Sequence, residues 1–288
     1  MPRIGADFYD KDYFVGGSKS AYEDYNLCSG VMRSIADMVL EAYGPLGRVL
    51  DVGCAYGFVV EYLRERGVEA WGVDISQYAI FQARPAASAY LCVGNLLALP
   101  FADNTFDLVF SSESLEHVYE DQAGLALSEI LRVSRGKACL LIGLNEEMED
   151  NDKGHVNLKD RRWWEELAAT FPSVHSDEEA SHFFNSHEHS QYMKWARRFF
   201  CLNVDKTPSS KPVHAEASLA EAGLKGMPAE FFDSEYFDGQ GTKSAYKGYT
   251  EQGLAGIFPP LAQLLQAPFA PKTALDCGCA KGYLVKAL

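Results

Sequence analysis

Between Arg48 and Gly143 the chain alternates short apolar runs with amphipathic stretches, and glycine or polar clusters punctuate them. The runs Val49–Asp51, Ala70–Asp74, Ala89–Val93, Leu108–Ser111 and Ala138–Gly143 read as buried strands. Between the last two, Leu125, Leu127, Ile130 and Leu131 predict a helix over Leu125–Val133. Upstream, Val31, Met32, Ile35, Met38 and Val39 fall on one face of a helix over residues 29–43. Downstream, Arg161–Phe171 is amphipathic and carries Trp163 and Trp164. Strands alternating with helices in this way predict a parallel sheet.

The first strand runs straight into Gly53 and Gly57, and helical periodicity resumes at Val59, Val60 and Leu63. A strand, a glycine turn and a helix N-terminus let backbone N–H groups approach a ligand beside the positive end of the helix. The next strand ends in Asp74, 21 residues beyond Gly53. A nucleoside-binding βαβ unit places its ribose carboxylate at about that distance. The same pattern also fits a βαβ unit that binds nothing, and a nicotinamide-dependent oxidoreductase shares the glycine turn and the ribose acid.

Asp51-x-Gly53-x-x-x-Gly57 after one strand, with Asp74 ending the next, resembles the class I S-adenosylmethionine-dependent methyltransferases of the type 11 kind. Gly94-Asn95-Leu96-Leu97-Ala98-Leu99-Pro100-Phe101, Asp107–Ser112, Leu115-Glu116-His117-Val118 and Glu129–Val133 continue the likeness in order. Ala55 stands where many members have a third glycine. The resemblance implies a Rossmann-like α/β fold, a seven-stranded, mostly parallel sheet with helices on both faces. It implies S-adenosylmethionine as cofactor, with Gly53, Ala55 and Gly57 passing its methionine and ribose portions. Asp51 would support the turn or the cofactor ammonium, Asp74 followed by Ile75 would hold the ribose, and Asn95 with Leu96 the adenine. Ser111 and Ser112 would offer backbone groups near the methionine, and Tyr22 would reach over from an aromatic leading segment that also holds Tyr13 and Tyr25. His155, His117 and Glu113 are the titratable groups placed near the sulfur, with Asn157 close by in the loop after the fifth strand.

Seven cysteines without a C-x-x-C pair argue against a disulfide framework or a zinc site and suit a reduced, cytoplasmic setting. His175, His182, His187 and His189 form a histidine-rich stretch beside the sixth or seventh strand. His187-x-His189 would suit a metal on a strand, but no metal is expected. A net charge of −14 counts against nucleic acid, whose binding rests on Lys and Arg. Lys194, Arg197 and Arg198 make a small basic patch, read as a solvated helix face. No apolar run is long enough to span a bilayer. By elimination the acceptor is a small molecule, such as a sugar or natural-product hydroxyl. A non-catalytic cofactor-binding or scaffold protein is the competing class.

Beyond residue 205 the chain begins again. Lys243-Ser244-Ala245-Tyr246 repeats Lys19-Ser20-Ala21-Tyr22, and Leu275–Gly282 repeats the turn at Leu50–Gly57, at offsets of 223 to 225 residues. The expected organisation is a methyltransferase domain over residues 1–205, a linker over 206–229 and an incomplete second copy over 230–288. That copy lacks counterparts of Asp74 and Asn95, which suggests a truncated tandem parent. A lone strand of a parallel sheet needs neighbours, so the partial repeat would dock on the first domain or form a homodimer.

Overall fold

The computed structural model describes residues 3–20, 22–145, 152–192, 194 and 197–205. The linker and the partial repeat over 206–288 lie outside the described residues, as does the acidic stretch 146–151.

The strands are β1 (Arg48–Val52), β2 (Glu69–Asp74), β3 (Leu91–Val93), β4 (Phe106–Ser112), β5 (Ser134–Leu141), β6 (Val174–Ser176) and β7 (Phe199–Val204). They form one sheet in the order β3-β2-β1-β4-β5-β7-β6. The pairs from β3 through β5 are parallel, and β7 runs antiparallel to both β5 and β6. The order reverses beside β1, and in open α/β sheets ligands bind at such a switch point, beyond the carboxyl ends of the strands.

The helices are α1 (Lys11–Phe14), α2 (Ser29–Tyr43), α3 (Phe58–Glu65), α4 (Gln77–Phe81), α5 (Pro85–Ser88), α6 (Glu120–Val133), α7 (Arg161–Ala169), α8 (Glu178–Ser186) and α9 (Glu188–Tyr192). Side chains alternate across a strand, so each strand feeds two cores. Val49, Leu108, Phe110, Cys139 and Phe199 pack with Ile35, Val39, Val60 and Phe184 of α2, α3 and α8. Leu50, Val52, Val109, Leu140 and Phe200 pack with Leu127, Ile130 and Trp164 of α6 and α7. Helices thus cover both faces.

The helix over 29–43 lies where its periodicity places it and stops at Gly44, whose φ of 67° suits glycine. Other boundaries move. The third strand shrinks to Leu91–Val93 because Pro85 starts a short helix, α5, in front of it. The helix expected from Leu125 begins at Glu120, since Glu120, Asp121 and Gln122 form its solvated first turn. β5 opens directly off α6 at Ser134, whose hydroxyl donates to the Lys137 carbonyl at 2.8 Å, and it ends before Gly143.

Two readings need correction. His187 and His189 do not sit on a strand: His187 caps α8 and His189 lies in α9. Arg198 is no solvated helix face. It immediately precedes β7, is 6% exposed, and its guanidinium pairs with Glu113 and donates to the Ile142 carbonyl at 3.1 Å. Eighty-five residues separate Arg198 from Glu113, so only the tertiary fold joins them. The described cysteines are all free thiols. Among the described residues no helix is long and apolar enough to cross a membrane.

Candidate active site

The glycine turn between β1 and α3 is held from below. Gly53 and Cys54 donate their N–H groups to the Val73 carbonyl at 2.8 and 3.2 Å, and Gly57 donates to the Cys54 carbonyl at 2.7 Å. Gly53, Ala55 and Gly57 all have positive φ, at 78°, 46° and 75°. At Gly53 a Cβ would also collide with the Ser114 hydroxyl, so this position needs glycine for space as well as conformation. Ala55 adopts the left-handed conformation despite its Cβ, a modest strain that its contacts must hold.

Asp74 supplies that contact. Its Oδ2 accepts the Ala55 N–H at 2.8 Å and its Oδ1 accepts the Ser76 N–H at 2.7 Å. The end of β2 is thereby tied to the turn, with Ile75 in the link. Ser76 donates to the Tyr9 carbonyl at 2.5 Å, which latches the leading segment over the strand ends. Tyr22 belongs to that segment, edge-on to Tyr13 and Tyr25.

Asp51 is 4% exposed and lines a small pocket with Tyr25, Met32, Gly53, Cys54, Phe58, Val59 and Ser112. Burial, and then the charge of Asp74, push its carboxyl up to about 8. Asp74 is raised in the same direction by burial, against its two backbone donors. A buried acid, Asp51, and a half-buried one, Asp74, facing one turn form a site that favours a cationic ligand with hydroxyls. The buried Ser112 hydroxyl, which has no partner, faces the same pocket.

The neighbouring residues divide differently from the expectation. Ser111 donates its hydroxyl to the Val52 carbonyl at 2.9 Å, and its backbone sits in the ladder with β1 and β5. It staples strands together, whereas Ser112 faces the pocket. Asn95 folds its Oδ1 onto the Leu97 N–H at 2.9 Å and shapes its own loop, while Leu96 packs against the α6 core.

After β4 the chain turns sharply at Glu113, with φ 51°, into a 3-10 turn over Leu115–His117. Glu113 is occupied by Arg198. Glu116 is fully buried, and its Oε1 accepts the Gly143 N–H at 3.0 Å. Its carbonyl accepts the N–H groups of Val156 and Asn157 at 3.1 and 3.0 Å, which clamps the loop after β5 onto this turn. His155 is thereby brought beside His117, with ring centroids 4.8 Å apart. Burial, and then His155, push His117 down to about 4, so its ring is neutral at physiological pH. Tyr9 and Tyr13 stand edge-on to His117, and Tyr13 donates its hydroxyl to Asp152 at 2.6 Å. Asn157 is 2% exposed and neither side-chain polar atom has a partner. The structure therefore brings His117 and His155 together, while Glu113 stays near them with its carboxylate paired to Arg198. Asn157 lies beside them as expected, and Glu116 joins them through the loop clamp that buries it.

Residues 50–142 match the family model described as a methyltransferase domain. Malonyl-[acyl-carrier protein] O-methyltransferase of Pseudescherichia vulneris is 31% identical over 118 residues, covering 40% of this chain and 46% of that protein. The enzyme of that name numbered 1 from Coxiella burnetii is 36% identical over 129 residues, covering 42% and 43%. The chain thus spans about half the length of the curated relatives it matches. Among solved structures, the SAM-bound amino pentose methyltransferase CalS10 of Micromonospora echinaspora has a TM-score of 0.47 at 14% identity, covering 62% of this chain and 91% of that one. The likeness of residues 50–142 to methyltransferase domains supports S-adenosylmethionine as the cofactor.

Proposed function

We propose that the chain is an S-adenosylmethionine-dependent methyltransferase acting on a hydroxyl of a small-molecule acceptor, of sugar or natural-product type. The observation that carries this reading is the pair Asp51 and Asp74 at the ends of adjacent parallel strands, both turned towards the Gly53–Gly57 turn. When bound, the cofactor supplies a methyl group on a sulfonium, already activated for transfer. What remains for the chain is to bind, align and manage a proton.

Asp51 offers a carboxylate to a cationic group, and Asp74 offers the outer lone pairs of its oxygens to vicinal hydroxyls. The latched leading segment, through Tyr9 and Ser76, excludes water above the turn. Management of the acceptor proton falls to the His117–His155 pair, since Glu113 is already matched by Arg198. The orphaned amide of Asn157 beside them is suited to orient a polar acceptor. The relatives' names include malonyl-[acyl-carrier protein] O-methyltransferase and norajmaline N-methyltransferase, so oxygen and nitrogen acceptors both occur among similar proteins.

Incubation with methyl-labelled S-adenosylmethionine and a panel of sugar and natural-product alcohols tests this. Labelled ether should form in step with S-adenosylhomocysteine. Label appearing on amines or carbon alone would overturn the hydroxyl assignment.

A further inference from the structure

We infer that Glu116, His117 and His155 form a binding site for a divalent first-row transition cation, on the acceptor side of the glycine turn. One ligand atom from each residue lies within 4.8 Å of the other two. Among the described residues this group alone brings together three such side chains. Oε2 of Glu116 and Nδ1 of His117 are buried with no well-formed hydrogen bond, although Glu113 faces the Glu116 carboxyl and the Gly154 backbone faces the His117 ring. Buried polar atoms so poorly matched are costly, and a shared cation would satisfy both at once.

The framework is already built. Glu116 is fixed through its other oxygen by the Gly143 N–H, and its carbonyl holds the Val156 and Asn157 N–H groups that carry His155 into place. Gly154 sits against His117 Nδ1 so closely that a Cβ there would come within 2.7 Å of it. Asp152 lies on the same side and is held by the Tyr13 hydroxyl and the Gly154 N–H at 2.6 and 2.7 Å.

The donor set selects the ion. Two imidazole nitrogens and one carboxylate oxygen suit Zn2+, Fe2+, Co2+, Ni2+ or Mn2+, whereas Mg2+ and Ca2+ prefer oxygen ligands alone. Ligand atoms around such an ion stand roughly 3–3.5 Å apart for bonds of about 2.1 Å. Binding therefore draws the three together. Positions not filled by protein would remain for water or an acceptor oxygen. A cation there lowers the pKa of a bound hydroxyl and so relieves the histidines of acting as the base. The binding claim stands on the cluster itself. Its role in acceptor activation rests on the methyltransferase reading.

The full chain, stripped with a chelator, is titrated with Zn2+ by calorimetry and with Co2+ by visible absorption. One equivalent should bind at this site. Substitutions His117→Ala and His155→Ala should each weaken it by roughly tenfold or more, while His182→Ala on α8 leaves it unchanged. Glu116→Gln, which keeps the shape of the side chain, should weaken it likewise, and unchanged thermal melting of His155→Ala separates ligand loss from unfolding. Failure to bind either ion overturns the inference. So does binding that survives both histidine substitutions, which would locate the metal elsewhere. If the ion binds as expected but methyl transfer is insensitive to it, the site stands and only its catalytic role falls.

Discussion

The neutral-to-charged transition of Asp51 is the most direct physical handle on the cofactor turn. Its carboxyl is buried at 4% exposure beside Asp74, and it titrates at about 8 where a free aspartate titrates near 3.8. Between those values the folded chain holds a proton that the unfolded chain has lost. Its contribution to stability is therefore full below the unfolded value and falls as pH rises towards 8. The slope approaches about 1.4 kcal/mol per pH unit, so between pH 6 and 8 this one group removes about 2 kcal/mol. Asp51→Asn keeps the shape and cannot ionise. Urea unfolding of both proteins at pH 6, 7 and 8 should show wild type losing about 2 kcal/mol more than the variant across that range. Binding of the cationic cofactor should also expel the proton, so that heats measured near pH 7 in buffers of different ionisation enthalpy diverge for wild type and coincide for Asp51→Asn. Parallel stability curves for the two proteins would refute the assignment of Asp51 as a buried, unmatched acid.

Three further outcomes follow from the same geometry. Asp74→Ala should lose roughly 1.5–3 kcal/mol of S-adenosylhomocysteine binding, the range for hydrogen bonds to a charged group, read by titration calorimetry. Ser111→Ala should instead cost about 1 kcal/mol of folding stability, read by denaturant melts, and leave cofactor affinity untouched, because its hydroxyl serves the Val52 carbonyl. Arg198→Met should destabilise by roughly 3 kcal/mol by stranding Glu113, and adding Glu113→Gln should recover much of that loss, a coupling that a double-mutant cycle measures.

The parts of this molecule that obey local rules were visible in its sequence. Apolar runs ending in Asp51 and Asp74, two glycines at a turn needing positive φ, and a 3.6-residue stripe over 29–43 each carry their own signal. Strand ends and helix starts were blurred where solvated residues such as Glu120 and Asp121 open a helix without apolar periodicity. The acceptor side was much less legible. The Glu113–Arg198 pair and the contact of His155 with Glu116 and His117 join residues 38 to 85 positions apart in sequence: the pairing of β7 with β5 brings Arg198 in, and the clamp of the β5 loop on the 3-10 turn brings His155. Attention to the histidines at 175–189 followed sequence density, yet those side chains are spread over β6, α8 and α9. Ser111 and Ser112 could not be told apart by sequence, since the alternation of a strand decides which one staples β1 and which faces the pocket.

We propose that the Gly53–Gly57 turn with Asp51 and Asp74 binds S-adenosylmethionine. Calorimetric titration of the full chain with S-adenosylhomocysteine, beside NADH, tests it most directly. The account predicts saturable binding of S-adenosylhomocysteine at one equivalent per chain, abolished or sharply weakened in Asp74→Ala, and no binding of NADH. Binding of NADH alone, or of neither compound, would contradict it.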